Sequence, residues 1–187
     1  MTGLLSFLLG GVAVGAAVWA RRTYLEFWGQ TSEDYKGTGP EFELREHLKG
    51  PFVCEGVIFG PTGRVTARFS ADMHGAWDGN KGVLSEKFTY CNGDVQEREW
   101  HLTLGNDGKI QANADDVIGD GEGHQDGAAV HLKYKYRLPE ASGGHVLDAS
   151  DWLYLVEDGK IINRSQFRKF GVKVAELVAT MRRADAA

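Results

Sequence analysis

The stretch VTARFSADMHGAW, Val65 to Trp77, decides the fold. Every second residue in it (Val65, Ala67, Phe69, Ala71, Met73, Gly75, Trp77) is apolar or small, while Thr66, Arg68, Ser70, Asp72 and His74 fill the positions between. Successive side chains of an extended chain point to opposite faces, so this alternation predicts a long half-buried strand. A helix would scatter the same residues all round its axis. The rhythm returns at Val130, Leu132, Tyr134, Tyr136 and Leu138, set against His131, Lys133, Lys135 and Arg137. Weaker versions run over 52–59, 83–91, 96–104, 110–118, 146–156 and 161–170.

Turn-forming residues separate these stretches: Gly60-Pro61-Thr62-Gly63, Asp78-Gly79-Asn80, Asn92-Gly93, Asn106-Asp107-Gly108, Asp126-Gly127, Gly143-Gly144 and Asp158-Gly159. Strands joined by tight turns are antiparallel neighbours. About eight to ten of them would leave two long bare edges unless the sheet closes into an up-and-down barrel or folds into a sandwich. The predicted class is therefore all-β and antiparallel. The last stretch, Val172 to Arg183, reads as a closing strand or a helix, and the β-branched Val172, Val174 and Val178 favour the strand.

Outward from the strands, composition narrows the function classes. The 187 residues suffice for one domain with one core, and 25 Gly against 4 Pro fit a chain of many tight turns. A net charge of -5, with no arginine stripe among aromatics, disfavours nucleic-acid binding. Cys54 and Cys91 are not in Cys-x-x-Cys spacing, which excludes a zinc ribbon or thioredoxin-type site; they read as two small buried thiols or as a bridge between strands.

Leu4 to Ala20 carries no charge and a single hydroxyl. A run of this length just reaches the lower limit for crossing a bilayer, so one N-terminal transmembrane helix is expected, with Arg21, Arg22, Tyr24, Phe27 and Trp28 as its interfacial collar. A cleavable signal peptide is the competing reading, weakened by the missing basic start and by two arginines directly after the cut. Gly11 and Gly15 form a Gly-x-x-x-Gly pair that would allow a weak homodimer between anchors. The expected layout is an anchor and collar over 1–29, a polar linker over 30–40 and the barrel domain over 41–187, with a helical turn or two within Glu41 to Leu48.

No Gly-x-Ser-x-Gly, P-loop or His-Glu-x-x-His occurs, so no catalytic set is predicted. Gly119, Gly121 and Gly123 alternate with Asp120 and Glu122, which would repel phosphate, so a flexible strand connection is expected there. The acids Asp115, Asp116, Asp120, Glu122 and Asp126 fail the EF-hand spacing, no metal or cofactor is assigned, and the dispersed histidines read as surface residues. The candidate ligand-binding set is aromatic: Trp77, Trp100, Tyr134, Tyr136, Trp152 and Tyr154. Asp116, Asp151, Asn163 and Arg164 are the polar groups among apolar neighbours. Such a mixture lines a ligand cavity, or fills a barrel packed by its own side chains.

Several ordered motifs resemble one family: Gly56 to Val65 with its Gly-Pro-Thr-Gly turn, Gly75-Ala76-Trp77-Asp78-Gly79, Glu99-Trp100-His101-Leu102, and 114–119. Asp151-Trp152-Leu153-Tyr154-Leu155, Asn163-Arg164 and 169–176 continue the series. The chain after the linker is similar to the proteobacterial domain-of-unknown-function family 3833, small membrane-anchored or lipoprotein-type proteins. That resemblance implies a lipocalin-like barrel and a membrane-associated life, with no known activity. The chain departs from the lipoprotein pattern because no cysteine closes its apolar segment. Inner-membrane attachment is expected, the resemblance favouring a periplasmic domain and Arg21 with Arg22 a cytoplasmic one. The leading expectation is a tethered barrel that binds or shuttles an apolar ligand such as a fatty acyl chain or lipid. The alternatives are a non-catalytic envelope interaction module with a packed barrel, and a lipid-modifying isomerase or cyclase using Asp116, Asp151 or Arg164.

Overall fold

In the computed structural model, which describes residues 2–184, the alternating stretches become ten strands. Residues 1 and 185–187, the outermost parts of the expected anchor and barrel domain, lie outside the described residues. The strands are β1 Gly50–Phe59, β2 Val65–Asp78, β3 Lys81–Tyr90, β4 Val95–Leu104, β5 Lys109–Asn113, β6 Gly121–Asp126, β7 Ala129–Arg137, β8 Val146–Leu155, β9 Ile161–Lys169 and β10 Val172–Arg183. Each pairs antiparallel with the next, and β1 pairs with β10 from Phe52↔Arg183 to Phe59↔Glu176, which closes an up-and-down barrel. Closure removes both free edges. The ambiguous last stretch is thus the closing strand.

Two expectations about the 110–123 region change. The strand expected over 110–118 stops at Asn113, because 114–120 turns over one end of the barrel and pairs with β7 through the isolated bridge Val117↔Tyr136. The glycine-rich connection is half strand: Gly121 and Gly123 belong to β6. A Cβ on Gly123 would lie 2.3 Å from the His131 carbonyl oxygen and 2.4 Å from a Leu132 methyl, so only glycine lets β6 pack there.

Up-and-down order sends the connections alternately to two ends. The turns 79–80, 105–108, 127–128 and 156–160 lie at one end and 60–64, 91–94, 114–120, 138–145 and 170–171 at the other. The chain entering β1 plugs the first end. The single-turn helix α2 (Leu44–His47) and its flanks bury Phe42, Leu44 and Leu48. Trp77 Nε1 donates to the Leu48 carbonyl at 2.9 Å. Gly75 makes this plug possible, since a Cβ there would meet the Leu48 oxygen at 1.8 Å.

The segment expected to be a polar linker is docked on the barrel wall. Tyr35 packs on Trp152 and Tyr154 at ring-centroid distances of 5.1 and 5.5 Å, and its hydroxyl and that of Tyr154 both donate to Gln30 Oε1. Phe27 is buried beside Trp152 and Ala129, and Trp28 Nε1 donates to Gln166 Oε1 at 3.1 Å. These two aromatics were expected in a membrane collar; instead they cover the outward face of β8 and β9, where Ser150, Trp152 and Gln166 would otherwise be wet.

Before them runs α1, Thr2–Tyr24, with Phe7, Leu8, Leu9, Val12, Val14, Val18 and Trp19 all exposed. The expected transmembrane helix is not borne out: among the described residues no helix is long and apolar enough to cross a membrane. Gly10, Gly11, Gly15 and the interspersed alanines dilute the apolar run, and Arg21 with Arg22 ends it near the minimum spanning length.

Candidate ligand site in the barrel interior

Because interior positions recur every second residue, each strand contributes a short column to the core. Leu84, Trp100, Leu102, Ile110, Leu132, Leu153 and Met181 meet in one cluster. They leave an internal cavity of about 110 Å³, also lined by Cys54, Glu86, Arg98, Tyr134, Asp151, Asn163 and Ser165. The barrel is therefore largely packed around an apolar void whose wall carries a few polar groups.

Two polar clusters face this space. On β3 and β4, Glu86 and Arg98 occupy directly opposed register positions. Arg98 stacks 4.1 Å over the Trp100 ring, and its Nη2 and Nε donate to Asp116 Oδ1 at 2.8 and 3.0 Å. Burial opposes the charge of Arg98, but Tyr134, Glu86 and Asp116 around it hold the guanidinium firmly protonated. Glu86 is pushed up to about 7 by burial, with Arg98 pulling the other way, and its Oε2 is buried without a hydrogen-bond partner. On β8 and β9, Asp151 Oδ1 accepts from Ser165 Oγ at 2.6 Å and from Asn163 Nδ2 at 2.5 Å. Burial raises the Asp151 carboxyl, partly offset by those two donors. Burial likewise pushes the Tyr134 hydroxyl well above the ordinary phenol value and the Cys54 thiol up to about 12, so neither ionises near neutrality.

Of the sequence-derived set, Trp100, Tyr134, Asp151 and Asn163 line the cavity. Tyr136 is interior but higher, against Phe167, and Trp77 holds the plug. Asp116 reaches in from the 114–120 segment to Arg98. Trp152, Tyr154 and Arg164 are on the outer wall. Trp152 is sandwiched between His131 and Tyr154, at 4.1 and 5.8 Å, and Arg164 is paired with Glu176 at 2.7 Å and stacked on Phe27. These three fall outside because Asp151 and Asn163 are the inward members of their strands, and immediate neighbours must point the other way.

The reading by residue type missed Glu86 and Arg98. Their parity was visible: Leu84, Glu86 and Phe88 form one face of β3, and Arg98, Trp100 and Leu102 one face of β4, so both charges break an otherwise apolar column. Two further expectations fail. His131 is buried, its ring on Trp152 and its Nε2 bonded to Ser150 Oγ at 2.9 Å, so it is no surface histidine. The cysteines are neither bridged nor both buried, Cys54 being interior and Cys91 exposed. Chemically, the interior offers an apolar void, a carboxyl able to exchange a proton near neutral pH, and a guanidinium already occupied by one carboxylate.

The barrel is similar to three solved structures. The S-type phycobiliprotein lyase CPES from Guillardia theta aligns with a TM-score of 0.56 at 11% identity, covering 76% of this chain and 91% of that one. Rv2717c from M. tuberculosis aligns at 0.52 and 16% identity, covering 74% and 93%. A protein with unknown function from the DUF3598 family of Nostoc punctiforme aligns at 0.55 and 12% identity, covering 78% of this chain and 51% of that one. At such identities the likeness is one of fold. No curated protein matches the chain. The family described as Protein of unknown function (DUF3833) matches residues 24–183, from the last residue of α1 to the end of β10, and the chain belongs to that family.

Proposed function

We propose that this protein is a membrane-tethered barrel that binds or shuttles an apolar molecule, such as a fatty acyl chain, with part of the ligand in the interior cavity. The observation that carries the reading is the void of about 110 Å³, apolar over most of its wall and bordered by Glu86 with an unpartnered buried oxygen. A dry apolar space of this order holds a benzene-sized group. Whole-ligand pockets run to about 300 Å³ and more. The void therefore takes one end of a chain, and a longer ligand enters as the 114–120 segment, latched by Asp116 to Arg98, moves aside. A hydroxyl, amide or protonated acid on the ligand would complete the hydrogen bonding of Glu86. The tether rests on α1, whose apolar side chains the barrel leaves uncovered.

A fluorescent fatty acid titrated against the full-length protein tests this. Saturable binding should be competed by unlabelled fatty acid and lost in Met73→Trp, which fills the void. Binding that survives Met73→Trp in a folded protein would refute the interior site. The near-neutral carboxyl of Glu86 favours a second reading, proton transfer on a bound lipid. Under it Glu86→Gln would keep binding and lose conversion of the lipid.

A further inference from the structure

The barrel's exposed apolar side chains are unevenly placed. Among the described residues of the barrel, the large exposed ones are Val65, Val95, Ile118, Val146, Phe170 and Val172 at the loop end, and Val156 alone at the plugged end. Each of the five connections at the loop end supplies at least one: Val65 the β1–β2 turn, Val95 β3–β4, Ile118 β5–β6, Val146 β7–β8, and Phe170 with Val172 β9–β10. The turns of the plugged end are Gly79-Asn80, Gly105 to Gly108 and Gly127-Ala128, and the last one is charged after Val156. Scattered exposed apolar residues need no explanation, but a set gathered at one rim, six residues against one at the other end, does.

The tip of the ring is itself unusual. Lys169 pairs with Val172 across a two-residue turn whose central residues, Phe170 and Gly171, have φ of 51° and 76°. Asn or Asp before Gly is the residue choice that suits such a turn, and a bulky aromatic with positive φ is locally unfavourable. Phe170 is also 92% exposed, so burial does not repay its placement, and the Lys169 ammonium 5.7 Å from its ring is a weak, exposed contact.

The same rim receives α1. The residues that follow the helix fasten to the loop-end half of β9, through Trp28 to Gln166 and Glu26 to Arg168 at 3.6 Å. Trp28, Ile118, Arg168 and Gly171 line one surface groove there.

We propose that the loop end of the barrel docks onto the bilayer, with Phe170 and Val172 inserted among the lipids and the Asp116-latched segment facing the membrane. This rests on the membrane-tethered reading and adds an orientation to it: the apolar helix and the apolar rim share one apolar solvent, and ligand passes between bilayer and cavity without crossing water. The rim mixes Arg64, Arg137 and Lys169 with Asp94, Asp115, Asp120 and Glu140 and so has no basic excess, which makes apolar contact the driving force and docking on zwitterionic lipid insensitive to salt.

The experiment uses the full chain in phosphatidylcholine vesicles, in a Cys91→Ser background that leaves only buried Cys54. A polarity-sensitive dye is attached after Val172→Cys at the rim or Glu157→Cys at the plugged end. The dye at 172 should shift to the blue and be quenched by nitroxide-bearing lipid, while the dye at 157 stays aqueous. Adding Phe170→Glu should cut the quenching at 172 several-fold while the protein still floats with the vesicles. A dye at 172 that stays in water on protein that floats overturns the docking and leaves the tether standing. Protein that does not float overturns both. Shielding of 172 without vesicles, growing with protein concentration, overturns the docking in favour of contact between two copies.

Discussion

Glu86 and His131 pull the pH dependence of stability in opposite directions. Glu86, ordinarily near 4.5 and held at about 7 in the barrel, binds a proton in the folded state that the unfolded chain has lost, so stability falls as pH rises through that window. The fall is at most roughly 3 kcal/mol. Asp151, also raised by burial, acts in the same direction. His131 is lowered from 6.5 to about 4 by burial and then by the charge of Lys133. Between those values the unfolded chain holds the extra proton, so stability is lost as pH falls. The His131 slope opposes the carboxyl slope below 6.5, and above it the loss from Glu86 is no longer opposed by His131. Glu86→Gln should therefore melt higher than the wild type at pH 8, and its melting temperature should climb from pH 4 to 6.5. A variant curve parallel to that of the wild type would remove Glu86 from this account.

Single elements carry two further expectations. The stack on the outer wall centres on Trp152, which is fully buried although it points away from the barrel core. Trp152→Ala should cost about 3–5 kcal/mol in chemical denaturation, the range for deleting a buried aromatic. Proteolysis should then cut between 25 and 40, since Tyr35 loses its main support. The 114–120 segment is held by the Asp116 ion pair and by a few backbone bonds, including Ile118 N–H to the Lys135 carbonyl and Arg137 N–H to the Asp116 carbonyl. Asp116→Asn removes the charge and should raise amide hydrogen exchange at Val117 and Ile118 by about tenfold, the effect of losing roughly 1.5 kcal/mol of charge-assisted bonding. Exchange in β7 and β8 should stay unchanged, and an acceleration spread through the barrel would show that the segment is no separate unit.

At the scale of the molecule, closure between β1 and β10 depends on close approach at Gly56, where a Cβ would lie 2.7 Å from the Ala179 Cβ and 2.8 Å from the Phe69 ring. Gly56→Val should lower stability by about 1–3 kcal/mol, the cost of overpacking, and should promote aggregation if the seam opens and bares two strand edges; denaturant midpoints and light scattering report both. Much of this architecture was legible in the chain. Two-residue alternation and glycine turns prescribe consecutive antiparallel strands, and along the cleanly alternating β7 they set Tyr134 and Tyr136 on the apolar face. What alternation does not encode is which face of a strand is covered, because an outer wall can be buried too. Trp152 and Tyr154 looked like cavity residues since they are aromatic, yet their parity sends them outward, where Phe27, Trp28 and Tyr35 arrive from a segment that reads as a polar linker. Sequence by itself therefore determined most of the strands and their antiparallel succession, which depend on local geometry, but not the strand β6, the strand-or-helix choice over 172–183 or the choice of barrel over sandwich. Only the tertiary structure decided which end is plugged, how small the cavity is, that Glu86 meets Arg98 inside it, and that apolar side chains ring one rim, since these depend on contacts between residues far apart along the chain.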